Sequence, residues 1–507
     1  MARLTSIRIA AAAILAIVAA SGCGDDSSNN DGGADADADV VPPPPVCDAP
    51  PLVDVSTPTT VVGDGTPASC TAAELQAAAD TGGVITFDCG AAPTTITVSS
   101  TIVFTEETVL DGGDLVTLSG GGSARILYLD SAYNVTTPRL TVQRLTFRDG
   151  NSPRGGDDTA SGGGAIYRDG GSLTVIDCTF IDNHAPATGQ DLAGGAIYGF
   201  GGGDIIISGS TFTGNQASDG GAVGSLNGDL TLINSSFVGN AATGTGGNPG
   251  NGGCGGAIYM DGADERTSVC GVTIADNTAG AIAAGFFRVS NDDSGTFTMD
   301  RTTIDNNRVT PTDDGNAGGL YLQGLELTVT NSTISRNQAF YNGGIWIHTS
   351  HVQMTNVTIA ENIAIGSNGG GMWVSDPVTG TMLNCTIANN HADADGQGAG
   401  AVFGGDTGLV LKNTVVSNNT GWWGSGCDNL LGDGGGNVQW TDEAPCTAGI
   451  TIADPLLGAL GANGGETETM VPGPTSPARG LGSGCPDTDQ RGEPRGEPCM
   501  AGAVEVP

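Results

Sequence analysis

Residues 318–337, GGLYLQGLELTVTNSTISRN, contain in order every block from which most of the chain is built. A glycine pair opens the stretch and a short apolar block follows. LELTVT then alternates with the two-residue period of a half-buried strand, and STIS leads to Asn337. The closing block recurs as DCTFIDN (177–183), GSTFTGN (209–215), NSSFVGN (234–240), GVTIADN (271–277), RTTIDNN (301–307), NVTIAEN (356–362), NCTIANN (384–390) and NTVVSNN (413–419), with a looser copy, RLTFRDG, at 144–150. The opening block recurs as GGAIY at 163, 194 and 255, GGAV at 220, GGIW at 343 and GGMW at 370, with AGAI at 279 and AGAV at 399 as looser versions.

Short β-rich blocks repeating at 25 to 37 residues, with no helical period between them, predict a β-solenoid. One repeat cannot bury its own apolar face, so it must stack on its neighbours. Three strands per repeat predict an all-β parallel β-helix of roughly a dozen coils rising about 4.8 Å each. The recurrent Asn can stack its amide coil on coil, because an amide both donates and accepts. Length varies only between that Asn and the next glycine pair, which places all insertions on one edge. Cys178 and Cys385, two residues before the apolar position, are expected as buried free thiols.

Open ends of a solenoid need covers. Residues 71–80, TAAELQAAAD, predict a helical N-terminal cap, and the Pro/Gly-rich tail after 425 predicts a C-terminal cap. Before the rod, Met1–Ala20 pairs Arg3 and Arg8 with a twelve-residue apolar run, short for a membrane span and suited to a secretory leader. The run ends Ala-Ser-Gly-Cys23, which resembles a bacterial lipoprotein cleavage box with Cys23 as the lipidated residue. Acidic and proline-rich residues follow. The expected organisation is therefore a leader over 1–22, a spacer over 23–66, the rod with its N-terminal cap over 67–425, and a C-terminal cap over 426–507.

Of 12 cysteines, removing Cys23 leaves an odd number for an oxidising compartment. Sequence distance suggests Cys70/Cys89, Cys427/Cys446 and Cys485/Cys499, with Cys254/Cys270 as a fourth pair and Cys47 without an evident partner. Composition narrows the partners. The 507 residues hold 17 Lys+Arg against 55 Asp+Glu, a net charge of −38 with Lys412 the one lysine, which excludes nucleic acid. The 85 glycines follow no triplet period, which excludes collagen.

The GGAI and FxxN blocks resemble the polymorphic outer-membrane-protein repeats of bacterial right-handed parallel β-helix surface proteins. The tail, with DPLLG (454–458), PGPTSPA (472–478), DQRGEPR (489–495) and GAVE (502–505), resembles the choice-of-anchor Q domain family. The resemblance implies a right-handed coil and a surface protein, with the lipid at Cys23 holding it to the outer membrane. Adhesion or binding to cell-envelope carbohydrate or a surface protein is then the expected role. A polysaccharide lyase or glycoside hydrolase on the same fold is the alternative, and a passive surface spacer the third reading.

Three features could carry a site. Tyr321, Trp346 and Trp373 follow the glycine pair on three successive coils and would form a ligand-binding stripe if they face outward. Aligning them with Ile166, Ile197 and Ile258 instead favours the interior. Glu326, His348 and His351 are the one constellation with Zn²⁺-ligand chemistry. The acidic pairs Asp157/Asp158, Asp292/Asp293 and Asp313/Asp314 fall in loops and could take Ca²⁺, although no EF-hand or nonapeptide calcium motif is present. Trp422 and Trp423 are expected to pack into the C-terminal cap.

Overall fold

The computed structural model describes residues 46–152, 161–310, 315–375, 377–393, 398–404, 408–422, 424 and 426–506. They form a parallel β-solenoid of about 12 turns. Each coil contributes one GGAI-type strand to an 11-stranded sheet, here the second sheet. The LELTVT-type and FxxN-type strands both enter a 26-stranded first sheet, and the short segment after the repeat Asn enters a 9-stranded third sheet. Equivalent positions lie opposite one another: Phe147, Phe180, Phe212, Phe237 and Ile274 pair coil on coil in parallel register. The four Phe rings stack at 4.9, 4.5 and 4.6 Å inside the rod, all without exposure.

The looser block AGAI at 279 is not the register partner of its neighbours. AAGFF at 283–287 takes that place, with Phe286 opposite Ile258 and Leu320. At 255–256 the doublet meets two constraints, although Ala283 and Ala284 fill the same places on the next coil. Gly255 takes φ +68, and a Cβ on Gly256 would stand 2.2 Å from the carbonyl oxygen of Ala284 on the next coil.

The repeat Asn forms a directional ladder. In each step the backbone N–H and Nδ2 of one Asn donate to Oδ1 of the next, as from Asn240 to Asn277 at 2.8 and 3.0 Å. Nδ2 also donates to a carbonyl on the preceding coil, Asn277 to Phe237 O at 3.0 Å. The pattern runs from Asn183 to Asn419. Two residues before the apolar position a second ladder uses hydroxyls: Cys178 N–H donates to Ser210 Oγ, and Ser210 N–H to Ser235 Oγ. Cys178 and Cys385 occupy this inward column, buried and unbridged.

At the N-terminal end the helix Ala72–Ala79 starts on Thr71, whose hydroxyl accepts from Glu74 N–H, and buries Leu75, Ala78 and Ala79. Gln76 covers the first strand of the second sheet: Nε2 donates to Val103 O at 3.0 Å and Oε1 accepts from Val103 N–H at 2.9 Å. A side-chain amide thus satisfies one residue of an open strand edge.

Three expectations change here. The spacer assigned to 23–66 ends earlier, because residues 46–66 lie on the rod. Thr60–Val62 pairs with Ile85–Phe87, Val53 exchanges two hydrogen bonds with the Gln143 amide, and Val46 and Cys47 both donate to Asn234 Oδ1. Cys270 bonds to Cys47 across 223 residues, not to Cys254, which is left a buried free thiol. Sequence proximity misled because parallel coils bring distant residues together while turning near neighbours apart. The other disulfides join Cys70–Cys89, Cys427–Cys446 and Cys485–Cys499.

The tail is the third difference. Residues 427–452 add further short strand pairings to the rod, and residues 454–506 then run back along its side. Thr467 donates to Asn331 O, Thr488 O accepts from Asn356, Ser483 O from Asn413 and Met500 O from Asn384. Gln490 bridges Thr333 and Thr358, and Arg336 joins Asp305 at 2.7 Å and Glu468 at 2.5 Å. The tail is a lateral strap, and Leu430, Trp440 and Ile452 remain exposed near the end of the rod.

Candidate functional site

Tyr321, Trp346 and Trp373 point outward. Leu320 and Leu322 on either side of Tyr321 belong to the core, as do Ile345 and Ile347 beside Trp346 and Met372 and Val374 beside Trp373. The alignment with Ile166, Ile197 and Ile258 is one residue off, because those positions pair through Phe286 with Leu320. A slip of one residue exchanges the two faces of a strand.

Correct register extends the row. Tyr128, Tyr167 and Tyr198 precede Gly224, and Tyr259, Phe287, Tyr321, Trp346, Trp373 and Phe403 continue it. Ring centroids are 5.3 Å apart for Tyr259–Phe287, 5.0 Å for Phe287–Tyr321 and 4.5 Å for Trp346–Trp373, all stacked. Tyr321 meets Trp346 edge to face at 4.6 Å. Stacked rings cover one another's faces, so the uncovered rings offer solvent mainly their edges. The tyrosine after GGAI at 167, 198 and 259 was the available signal for the longer row.

The inserted loops decide which rings are covered. Ala193, Cys254 and Ala317, each just before an opening block, and Ala283, the first residue of its own, pack on the rings from Tyr167 to Tyr321. Tyr259 OH donates to Asp191 of one loop at 2.9 Å and accepts from Asn248 of another at 2.9 Å. Asp219 is buried under the same loops and accepts from Cys254 N–H at 2.8 Å; burial raises its carboxyl to about 8. Burial likewise pushes the Cys254 thiol and the Tyr198 and Tyr259 phenols well above their ordinary values. Among the described residues coverage ends past Tyr321, and Trp346, Trp373 and Phe403 are half-buried. Polar groups line that part: Trp346 Nε1 donates to Ser375 Oγ at 3.1 Å, and His348 Nδ1 lies 2.8 Å from the same oxygen.

Glu326 and His351 stand opposite each other on successive coils, yet His348 belongs to the other sheet. His351 is engaged by Thr379 at 2.9 Å and Gln353 at 3.1 Å. No three His, Cys, Asp or Glu come together as a metal site among the described residues. Trp422 is 63% exposed and does not pack into a cap. Cys23, Asp157/Asp158, Asp313/Asp314 and Trp423 lie outside the described residues.

Residues 96–351 and 318–431 match the family model described as a right handed beta helix region. Among solved structures, the A-module of mannuronan C-5 epimerase AlgE4 from Azotobacter vinelandii is 13% identical, covering 78% of this chain and 97% of that one, with a TM-score of 0.36. PfbA, a surface adhesin of Streptococcus pneumoniae, is 12% identical, covering 70% of this chain and 92% of that one, with a TM-score of 0.28. Comparison with curated proteins returned no match.

Proposed function

The chain belongs to the right-handed β-helix family, and on that scaffold we propose a non-catalytic binding protein of the bacterial surface, exported by residues 1–22 and lipid-anchored to the outer membrane at Cys23. Its contact face is the end of the outer aromatic row that the loops leave open, Trp346, Trp373 and Phe403, and its role is adhesion to cell-envelope carbohydrate or a surface protein. The observation that carries this reading is the loss of loop cover beyond Tyr321 among the described residues, which leaves costly aromatic surface half in water. Charge selects the partner. The net charge is −38, and at least nine arginines among the described residues sit in ion pairs, which disfavours a polyanion.

The test incubates non-lipidated protein from residue 24 onward with neutral and acidic polysaccharides, then reads bound protein and chain length by size exclusion. The expected result is co-elution with unshortened neutral chains, weakened about tenfold by joint Trp346→Ala and Trp373→Ala. Shortened chains overturn the non-catalytic reading. Full-length Cys23→Ser should leave the membrane fraction, and its persistence there would overturn the lipid anchor.

A further inference from the structure

A polar groove of about 410 Å³ crosses the turns between the second and first sheets on successive coils, beside the Tyr198 end of the aromatic row and apart from Trp346 and Trp373. Its floor is bare backbone by necessity. A Cβ on Gly203 would stand 1.9 Å from Gly171 O, and one on Gly228 would stand 2.6 Å from Arg168 Nη2. Arg168 is fully buried beneath and donates to the carbonyls of Gly171 at 2.9 Å, Gly202 at 2.6 Å and Gly201 at 3.0 Å. Those bonds hold the turn in shape before any ligand arrives.

The rim carries paired charges of both signs. Asp204 meets Arg139 at 3.0 Å, and one coil on Asp229 meets Arg266 at 2.7 Å. Both carboxylates keep lone pairs free for further donors. Asn227, also on the rim, donates to the hydroxyl of Tyr133 at 2.6 Å. The Tyr133 ring is 37% exposed and packs edge-on against Phe200 at 4.8 Å.

Glu265 lines the groove and is 5% exposed. Its Oε1 accepts from Ala263 N–H at 2.8 Å, whereas Oε2 is buried without a hydrogen-bond partner. Arg288 Nη2 approaches Oε2 only to 3.5 Å and donates instead to the backbone carbonyl of Glu265 at 2.8 Å. Burial raises this carboxyl to about 7. Oε2 therefore has an ion-pair partner in Arg288 but no hydrogen-bond donor of its own.

We infer that this groove is a saccharide-binding site for an uncharged sugar, with Tyr133 against a ring face, Asp204 and Asp229 accepting from hydroxyls, and Glu265 completing the bonds at the floor. An anionic sugar is disfavoured because Asp204, Asp229 and Asp264 outnumber Arg139 and Arg266 around the groove. A ring platform beside convergent carboxylates and an amide suits a polyol, which has an apolar face and hydroxyls around its rim. The inference stands without the aromatic row.

The test is ligand-observed saturation-transfer NMR on protein from residue 24 onward with cello-, manno- and xylohexaose, and oligogalacturonate as the anionic counterpart. At least one neutral hexasaccharide should bind. Tyr133→Ala and Asp229→Asn should each weaken it about tenfold, both alone and in a joint Trp346→Ala and Trp373→Ala variant, in which the aromatic row can contribute nothing. Glu265→Gln, which keeps a donor and an acceptor, should weaken it less than Glu265→Ala. Thermal unfolding of each variant separates lost binding from lost fold. Failure of every neutral sugar to bind, binding indifferent to the groove variants, or preference for the uronate overturns the inference. Loss of binding only in the tryptophan variant would instead place the sugar on the aromatic row.

Discussion

Removing one amide from the asparagine ladder should cost far more than a surface polar residue. Asn277 is fully buried and its side chain makes four hydrogen bonds: Oδ1 accepts from Asn240 N–H and Nδ2, and Nδ2 donates to Phe237 O and Asn307 Oδ1. In Asn277→Ala, Asn240 Nδ2 keeps its bond to Phe212 O, and Asn307 Oδ1 keeps the backbone donor of residue 277. The Asn240 N–H loses its partner in a dry site, a penalty of about 1–3 kcal/mol. With the net worth of the remaining bonds the deficit should reach about 3–5 kcal/mol. Asn277→Asp is the sharper perturbation. It keeps both accepted bonds but sets oxygen against Phe237 O and Asn307 Oδ1. The new carboxyl must take up a proton to donate, so its folded pKa rises above the unfolded value of about 3.9. Its deficit should therefore be largest at neutral pH and shrink as pH falls toward 4. Coils of a solenoid can open locally, so denaturant unfolding should be read with hydrogen exchange over 236–241. A deficit below about 1 kcal/mol in Asn277→Ala, with the Asn240 amide still protected, refutes the energetic role of the ladder.

Other expectations follow from single contacts. Replacing Cys47 and Cys270 by Ser opens a 223-residue loop, for which loop entropy sets an upper value of about 5 kcal/mol. The thermal midpoint should fall, and an unchanged midpoint would mean residues 46–62 leave the rod without consequence. Asp219, raised to about 8 by burial, contributes stability that is full below about pH 4 and is lost as pH rises through 8. Asp219→Asn keeps the acceptor for Cys254 N–H and should flatten the decline of the melting temperature between pH 5 and 8 (about that window); an unchanged slope contradicts the assignment. In protein lacking Cys23, Cys178, Cys254 and Cys385 should resist maleimide when folded and react together on unfolding, since all are buried and their thiols raised, Cys178 and Cys385 to about 12. Reaction of any one in the native state would show a breathing coil.

The solenoid was legible because its determinants are periodic. The FxxN strand, the asparagine, and the glycine doublet each recur once per coil, and parallel stacking turns that recurrence directly into register. What failed was non-periodic or depended on parity. Tyr321, Trp346 and Trp373 stood in the right column, yet one residue of misalignment with Ile166 reversed their face. Cys254 and Cys270 lie close in sequence but belong to different edges of a coil, whereas Cys47 reaches Cys270 only because the N-terminal segment runs along several coils. The groove at Glu265 has no sequence period at all. It arises where Gly202, Gly203 and Gly228 happen to be adjacent through the fold.

Both straps lie on one line of the rod, and that placement bears on where binding can occur. The turn between the two strands of the first sheet carries Gln143, Asn234, Arg301, Asn331, Asn356, Asn384 and Asn413 on its coils. Val53, Cys47 and Val46 occupy the first three, and Thr467, Thr488, Met500 and Ser483 the others. Each strap satisfies side-chain or backbone polar groups that would otherwise face water, and the C-terminal one also packs Ala478, Met500 and Ala501 on Val415 and Val438. A ligand on this line would have to displace a disulfide-bonded segment. The outer face of the second sheet and the turns joining it to the first sheet carry no strap contact among the described residues. The half-covered aromatic row and the glycine-floored groove both lie there. On this geometry the chain's own ends reserve one side of the rod for stability and leave recognition to the other.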